Sequence, residues 1–165
     1  MARVSDEELL QLAHALGQKL HVKGWMLASA ESCTGGWVAQ VVTAIPGSSD
    51  WFDRGFVTYS NQSKQDMLGV NPATLETHGA VSEETVKEMA GGALTHSHAH
   101  ISVALSGIAG PGGGSPKKPV GTVCIGWSTV DGEPLSTTCR LSGDREEIRS
   151  RAVAAALRGL IELID

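Results

Sequence analysis

Apolar positions along the chain switch between helical and strand spacing, and the switches mark its elements. Leu9, Leu12, Ala13, Leu16 and Leu20 recur at helical spacing behind Ser5-Asp6-Glu7-Glu8, a capping-box pattern, so the first element is a helix. Trp25 to Ala28 then reads as a buried strand that runs into Ser32. Trp37, Val38, Val41 and Val42 mark a second helix, stopped by Pro46-Gly47. Phe52 to Tyr59 reads as a second strand, and Asn61 as the cap of a short helix through Lys64 to Leu68. Asn71-Pro72 opens another short helix, with proline at the favoured first position. Ser82 caps a longer helix from Glu83 to Thr95. Two strands follow, Ile101 to Leu105 and Val120 to Ser128, with a glycine-rich loop over 107–121 between them. Asp131-Gly132 is a hairpin signal, so the strand Leu135 to Leu141 is expected to run antiparallel to its predecessor. Asp144 caps a final helix with Ile148, Ala152, Ala155, Leu160 and Leu163 on its apolar face. Helices alternate with strands until the hairpin intervenes. That order predicts an α/β fold: a single-domain three-layer α/β/α sandwich over residues 1–165, with a mixed, mostly parallel sheet.

Composition narrows the function classes more than the fold. Hydrophobic residues at 41% and charged residues at 19% are ordinary for a globular chain, and 165 residues suffice to bury a core. No apolar run reaches the length of a membrane span, and Met-Ala-Arg-Val-Ser-Asp lacks the features of a signal peptide. A cytoplasmic protein that does not engage a membrane is therefore expected. The three cysteines, Cys33, Cys124 and Cys139, include no CxxC pair, which indicates neither a disulfide framework nor a zinc ribbon. Net charge is −5, and the basic residues gather only at Arg145, Arg149, Arg151 and Arg158, interspersed with Glu146, Glu147 and Glu162. This is the pattern of a solvated helix face, and it argues against a nucleic-acid partner.

The richest chemistry lies at Glu31-Ser32-Cys33-Thr34-Gly35-Gly36, between the first strand and the second helix. A serine there stands clear of the strand, and helix N–H groups can hold an oxyanion or a phosphate. Gly35 and Gly36 let a ligand approach the backbone. A plain N-cap serine beside a tight turn fits the same residues. At the second strand-to-helix turn, Tyr59, the only tyrosine, and Lys64 flank Ser60 to Ser63. A lysine acts as a general base once burial or a nearby cation brings its pKa from about 10.4 towards neutrality. Ser60 is a second candidate nucleophile, four residues before Lys64, and Cys33 a third, at a position where a thiol pKa can fall. Ser106 to Gly110 follows a buried strand, and ligands in open α/β sheets bind beyond the carboxyl ends of strands. Ser106, Gly107 and Gly110 are candidate binding residues there, and Arg145 at the start of the last helix is a candidate phosphate partner. His96, His98 and His100 straddle a helix end and a strand start, so no regular face carries all of them and no metal site is expected.

Taken in order, AESCTGGWVAQVVTAIPGSS, WFDRGFVTYSNQSK, HGAVSEETV, SGIAGPGGGSPKKPVGTV and GDREEIR resemble the CinA C-terminal-domain family, and within it the stand-alone nicotinamide-nucleotide amidohydrolases. These stretches span nearly the whole chain. The resemblance implies hydrolysis of the carboxamide of nicotinamide mononucleotide, in pyridine-nucleotide salvage, by a Ser/Lys mechanism without metal or other cofactor. Carried over by position, it makes Ser32 the nucleophile, Lys64 its base and Tyr59 a proton relay or orienting group. Cys33, Thr34, Gly35, Gly36, Ser106, Gly107, Gly110 and Arg145 would bind substrate. The N-terminal module of longer family members has no counterpart here, so its activities are not implied. A non-catalytic nucleotide-binding or regulatory module is the competing class, and an enzyme of the same fold acting on another pyridine carboxamide is a further one. A homodimer is the expected assembly, with Trp37, Trp51 and Trp127 open to either core or interface positions.

Overall fold

The computed structural model describes residues 2–164; Met1 and Asp165, the outer ends of the predicted domain, lie outside the described residues. Among these residues the α-helices are α1 (Asp6–Lys23), α2 (Trp37–Thr43), α3 (Asn61–Leu68), α4 (Pro72–His78), α5 (Glu83–Thr95) and α6 (Arg145–Leu163). The strands are β1 (Leu27–Glu31), β2 (Phe52–Val57), β3 (Ile101–Gly107), β4 (Thr122–Thr129) and β5 (Leu135–Arg140). Serine and asparagine caps start most helices where the sequence places them. Ser5, Asn71 and Ser82 each accept a main-chain N–H at the start of α1, α4 and α5. The box at α1 is half built, because the Glu8 carboxylate turns instead to Arg158 of α6 at 3.1 Å. α3 is capped by Ser60, not Asn61: Ser60 and Ser63 form a reciprocal box. β1 begins two residues later than predicted. Met26 N donates to His100 Nδ1 and the Trp25 ring stacks on the same imidazole, so both residues serve the strand's entry.

The sheet order is β2-β1-β3-β4-β5. β1 is parallel to β2 on one side and to β3 on the other, while β4 runs antiparallel to both β3 and β5. Four strands therefore point one way and β4 alone points back, as a mixed, mostly parallel sheet requires. β1 is buried at every position and β3 at all but its last, the mark of strands covered on both faces. Large side chains face one layer: Leu27, Val103, Leu105 and Ile125 pack with Leu9, Leu16 and Leu20 of α1, Val38 and Val42 of α2, and Ile148 and Leu157 of α6. Small ones face the other. Ala28, Ala30 and Ala104 meet Val86, Met89 and Ala90 of α5, with Leu68 and Leu75 from α3 and α4.

That small-residue face lets α5 lie close to the sheet, and α3 close to α5. A Cβ on Gly126 would stand 2.6 Å from the Val86 carbonyl oxygen, and one on Gly92 would stand 2.0 Å from that of Leu68. α3 carries Lys64, so this approach sets how deep that side chain enters. The carboxyl ends of β1, β2 and β3 lie at one edge of the sheet. Residues 31–36, 58–64 and 106–110 therefore converge there, with β1 flanked by parallel neighbours on both sides.

The two adjacent glycines of α5 test this packing. Gly92→Ala is expected to cost about 2 kcal/mol or more, since the clash is with main chain. Gly91→Ala, with no heavy atom within 4 Å of its Cβ, is expected to add up to about 1 kcal/mol from helix propensity. Urea midpoints of the two variants against the wild type read the opposite signs.

Candidate active site

The turn after β1 is organised by a buried carboxylate. Glu31 is the last residue of β1, and its side chain accepts the Thr34 hydroxyl at 2.6 Å, Val38 N at 2.9 Å and Ala39 N at 3.1 Å. It caps α2 from the strand side, because the cap position itself is Gly36, which has no side chain to offer. Burial pushes the Glu31 carboxyl above its ordinary value, and the Thr34, Val38, Ala39 and Gly36 donors counter that push. Gly35 and Gly36 turn the chain at φ +62° and +104°, a region that side chains disfavour. The consequence corrects one expectation: the helix N–H groups beside Ser32 are consumed by Glu31 and are not free for a ligand. Gly35 N is consumed too, by the Ser32 carbonyl at 3.0 Å.

Ser32 follows directly, anchored by its own N–H on the Leu105 carbonyl at 3.0 Å. Its hydroxyl meets Lys64. Nζ stands 3.1 Å from Ser32 Oγ, 2.9 Å from the Thr58 carbonyl and 3.5 Å from the Tyr59 carbonyl. Lys64 is 1% exposed, and among the described residues no carboxylate pairs with it. Burial therefore holds its pKa below the usual lysine value, opposed only by Cys33. In the neutral amine two N–H bonds serve the two carbonyls and the lone pair is left for the Ser32 hydroxyl. A nucleophile and a base are thus in direct contact.

A cleft of about 230 Å³ opens over this pair, lined among others by Cys33, Tyr59, Ser106, Gly107 and Arg145. Of the predicted binding residues, Thr34, Gly35, Gly36 and Gly110 do not line it. Thr34 spends its hydroxyl on Glu31, and Gly110 accepts Arg145 Nη1 at 2.7 Å. Gly107 contributes its amide. Ile108 N bonds the Thr122 carbonyl of β4, and Leu105 O faces β1, so the alternation along β3 turns Gly107 N–H towards β1, which has already ended. A Cβ at 107 would stand 2.6 Å from Val123 Cγ2.

Tyr59 is placed differently from expectation. The residue is 63% exposed and its hydroxyl lies 3.2 Å from Arg145 Nη2, so only its carbonyl reaches Ser32 and Lys64. Ser60 is excluded as a nucleophile by its cap: Oγ accepts Ser63 N at 3.0 Å on the exposed side of α3. Cys33 is excluded by its environment. Burial and the Glu31 charge push the thiol up to about 11. The histidines hold structure, with His96 Nδ1 at 2.8 Å from the Gly92 carbonyl and His100 Nδ1 accepting Met26 N. A carboxylate does approach this run, as Asp53 accepts His98 N at 3.0 Å.

Two residues escaped the sequence reading. Glu31 left a signal, an acid closing an otherwise apolar strand. Arg149 left none, since one turn beyond Arg145 it passed for the solvated face. In fact Arg149 Nε donates to the Cys33 carbonyl at 2.9 Å and Nη2 to the Thr34 carbonyl at 3.2 Å, clamping the turn onto α6.

Because the pKa of Lys64 is lowered on folding, the unfolded chain binds a proton that the native state sheds between the native value and 10.5. Stability from this group therefore rises with pH through that window, and is reduced below it. Lys64→Met removes the dependence. Its stability advantage over the wild type is expected to be largest near neutrality and to shrink as pH approaches 10.5, read from urea unfolding at several pH values.

Comparison with known proteins follows the same lines. Residues 9–164 match the family described as CinA C-terminal domain. The Escherichia coli (strain K12) protein named nicotinamide-nucleotide amidohydrolase PncC is 54% identical over 157 residues, 95% of each chain. The Pseudomonas putida protein of the same name is 47% identical over 95% of this chain and 98% of its own length. A CinA-like protein of Chlorobaculum tepidum is 55% identical over 82% of this chain but only 33% of itself. Among solved structures, the competence/damage inducible protein CihA from Agrobacterium tumefaciens superposes with a TM-score of 0.94 at 46% identity, covering 100% of this chain and 99% of that one. The chain belongs to the CinA C-terminal domain family.

Proposed function

We propose that the chain, as one catalytic domain over residues 1–165, hydrolyses the carboxamide of nicotinamide mononucleotide to nicotinic acid mononucleotide and ammonia. The observation that carries this reading is the buried, unpaired Lys64 amine 3.1 Å from Ser32 Oγ. A surface cap serine or a ligand-binding module has no use for a base held dry against a hydroxyl. The name borne by the Escherichia coli and Pseudomonas putida relatives supplies the substrate class.

Neutral Lys64 takes the Ser32 proton while Oγ attacks the amide carbon. The oxyanion is assigned to the main-chain N–H groups of Cys33 and Gly107, residues that line the cleft. Protonated Lys64 returns its proton to the departing nitrogen, and the C–N bond breaks to release ammonia. Water then gives a proton to Lys64 and attacks the acyl ester, the ester bond breaks, and Ser32 recovers its proton as the carboxylate product leaves. The side chains and water move every proton, so the scheme calls on no cofactor. Direct contact between Lys64 and Ser32 leaves Tyr59 no relay to perform; its hydroxyl orients Arg145.

The cleft of about 230 Å³ suits a pyridine carboxamide, which places the ribose phosphate outside it. Arg145 stands at the mouth and also lines a larger groove of about 760 Å³ between α1, α2 and α6. The 5′-phosphate is assigned to Arg145, where cleft and groove meet. A cytoplasmic location suits a pyridine-nucleotide substrate, and a homodimer remains the expected assembly.

Ammonia release from nicotinamide mononucleotide, in chelator-treated buffer, tests the reading. Ser32→Ala and Lys64→Met are each expected to lose at least about 10³-fold in kcat while remaining folded. Tyr59→Phe is expected to keep kcat within about threefold and to raise KM, because it loosens Arg145 and not the Ser32–Lys64 pair. Turnover that survives Ser32→Ala would overturn the nucleophile. Nucleotide binding without any ammonia release would make the domain a binding module.

A further inference from the structure

The first residue of α3 carries a side chain that the helix does not use. Asparagine is a favoured helix cap and a poor interior residue. Yet the cap is Ser60, whose box with Ser63 leaves Asn61 one position inside. Its neighbours serve the helix: Gln62 Nε2 donates to Asp66 Oδ1 at 2.8 Å, and Ser63 Oγ accepts Ser60 N at 3.1 Å. The Asn61 carboxamide has no hydrogen-bond partner among the described residues, and Asn61 lines the Ser32 cleft. Asn61 and Lys64 are three residues apart and so share a face of α3. Lys64 is 1% exposed while Asn61 is exposed, so that face carries the base inside the cleft and a free carboxamide at its rim. The other polar side chains of the rim hold each other: Arg145 Nη2 meets the Tyr59 hydroxyl at 3.2 Å, and Nη1 binds the Gly110 carbonyl at 2.7 Å. A guanidinium offers donors only, whereas a carboxamide offers an acceptor and two donors side by side.

We infer that Asn61 reads the ribose of the nucleotide: Oδ1 accepts a proton from one of the vicinal 2′ and 3′ hydroxyls, and Nδ2 donates to the other. This rests on the reading of the cleft as a nicotinamide mononucleotide site. In that reading the scissile carboxamide lies against Ser32 and Lys64, the phosphate lies on Arg145, and the ribose joins the two. The sugar therefore crosses the rim, where a hydroxyl taken from water and left without a partner costs about 1–3 kcal/mol. Arg145 cannot accept a hydroxyl proton, and Asn61 can. A single side chain that both gives and takes a hydrogen bond matches a pair of adjacent hydroxyls, which makes Asn61 a specificity residue for the ribonucleotide.

Ammonia release from nicotinamide mononucleotide and from its 2′,3′-dideoxyribose analogue, by wild type, Asn61→Ala and Asn61→Asp, tests this. Wild type is expected to prefer the ribonucleotide about tenfold in kcat/KM. Asn61→Ala is expected to lose about tenfold on the ribonucleotide and less than about twofold on the analogue, so that the preference vanishes. Asn61→Asp keeps the acceptor and gives up the donor, and is expected to show an intermediate preference. Both substrates carry the phosphate, so the ratio between them cancels the effect of the added charge. A wild type without preference, or an Asn61→Ala variant that loses equally on both substrates, would overturn the inference. If Asn61→Ala does not fold, Asn61→Asp decides: a lowered preference supports it, and the wild-type preference overturns it. A wild type that releases no ammonia from either compound would instead mark failure of the amidohydrolase reading itself.

Discussion

A lysine amine without a counter-ion, enclosed by carbonyls and one hydroxyl, is the constraint around which the site end of this molecule is built. Such a group is stable inside a protein only if it is neutral or fully hydrogen-bonded, and here the three partners around Nζ come from two stretches of the chain, the turn after β1 and the turn after β2. The two stretches and the amine are each positioned by a different device. Ser32 is tied to β3 through Leu105, Thr58 to β1 through the Glu31 carbonyl, and Lys64 itself is carried by α3, whose distance from α5 is set by a glycine. The small-residue face of the sheet therefore serves more than packing, because it brings the helix that holds the base down to the level of the strand that ends in the nucleophile.

The second charge of the site works by the opposite logic. Glu31 is ringed by donors, Lys64 by acceptors, and the two do not pair with each other. A direct ion pair would have kept the lysine protonated and useless as a base. Separate hydrogen-bond shells let the carboxylate of Glu31 stand next in the chain to the serine that meets the Lys64 amine, without an ion pair between the two. The arginine on α6 completes the arrangement from outside, where its charge faces carbonyls and an indole ring.

Much of this architecture could be read from the chain alone, and the reasons it could are local. Caps and apolar spacing report on the backbone within a turn or two, so α4, α5 and the β4–β5 hairpin stand where they were expected. The boundary errors have two origins, one distant and one local: His100 claims Met26 and delays β1, while the reciprocal box with Ser63 makes Ser60 and not Asn61 the cap of α3. The pairing of Ser32 with Lys64 was legible as a resemblance, while its geometry depends on the closeness of α3 and α5, which no short pattern records. Tyr59 shows the same limit from the other side. A strand end fixes its main chain near the site, yet its side chain leaves for Arg145, 86 residues further along the chain.

Cys33 stands beside the nucleophile with its thiol pushed up to about 11, by the burial and the carboxylate that shape the turn. At neutral pH that holds it as the thiol. Peroxide and electrophiles react with the thiolate, so the most oxidisable side chain in the cleft is kept out of their reach by the device that caps α2. The turn that places the serine thus also leaves the cysteine beside it a protonated, weakly nucleophilic thiol.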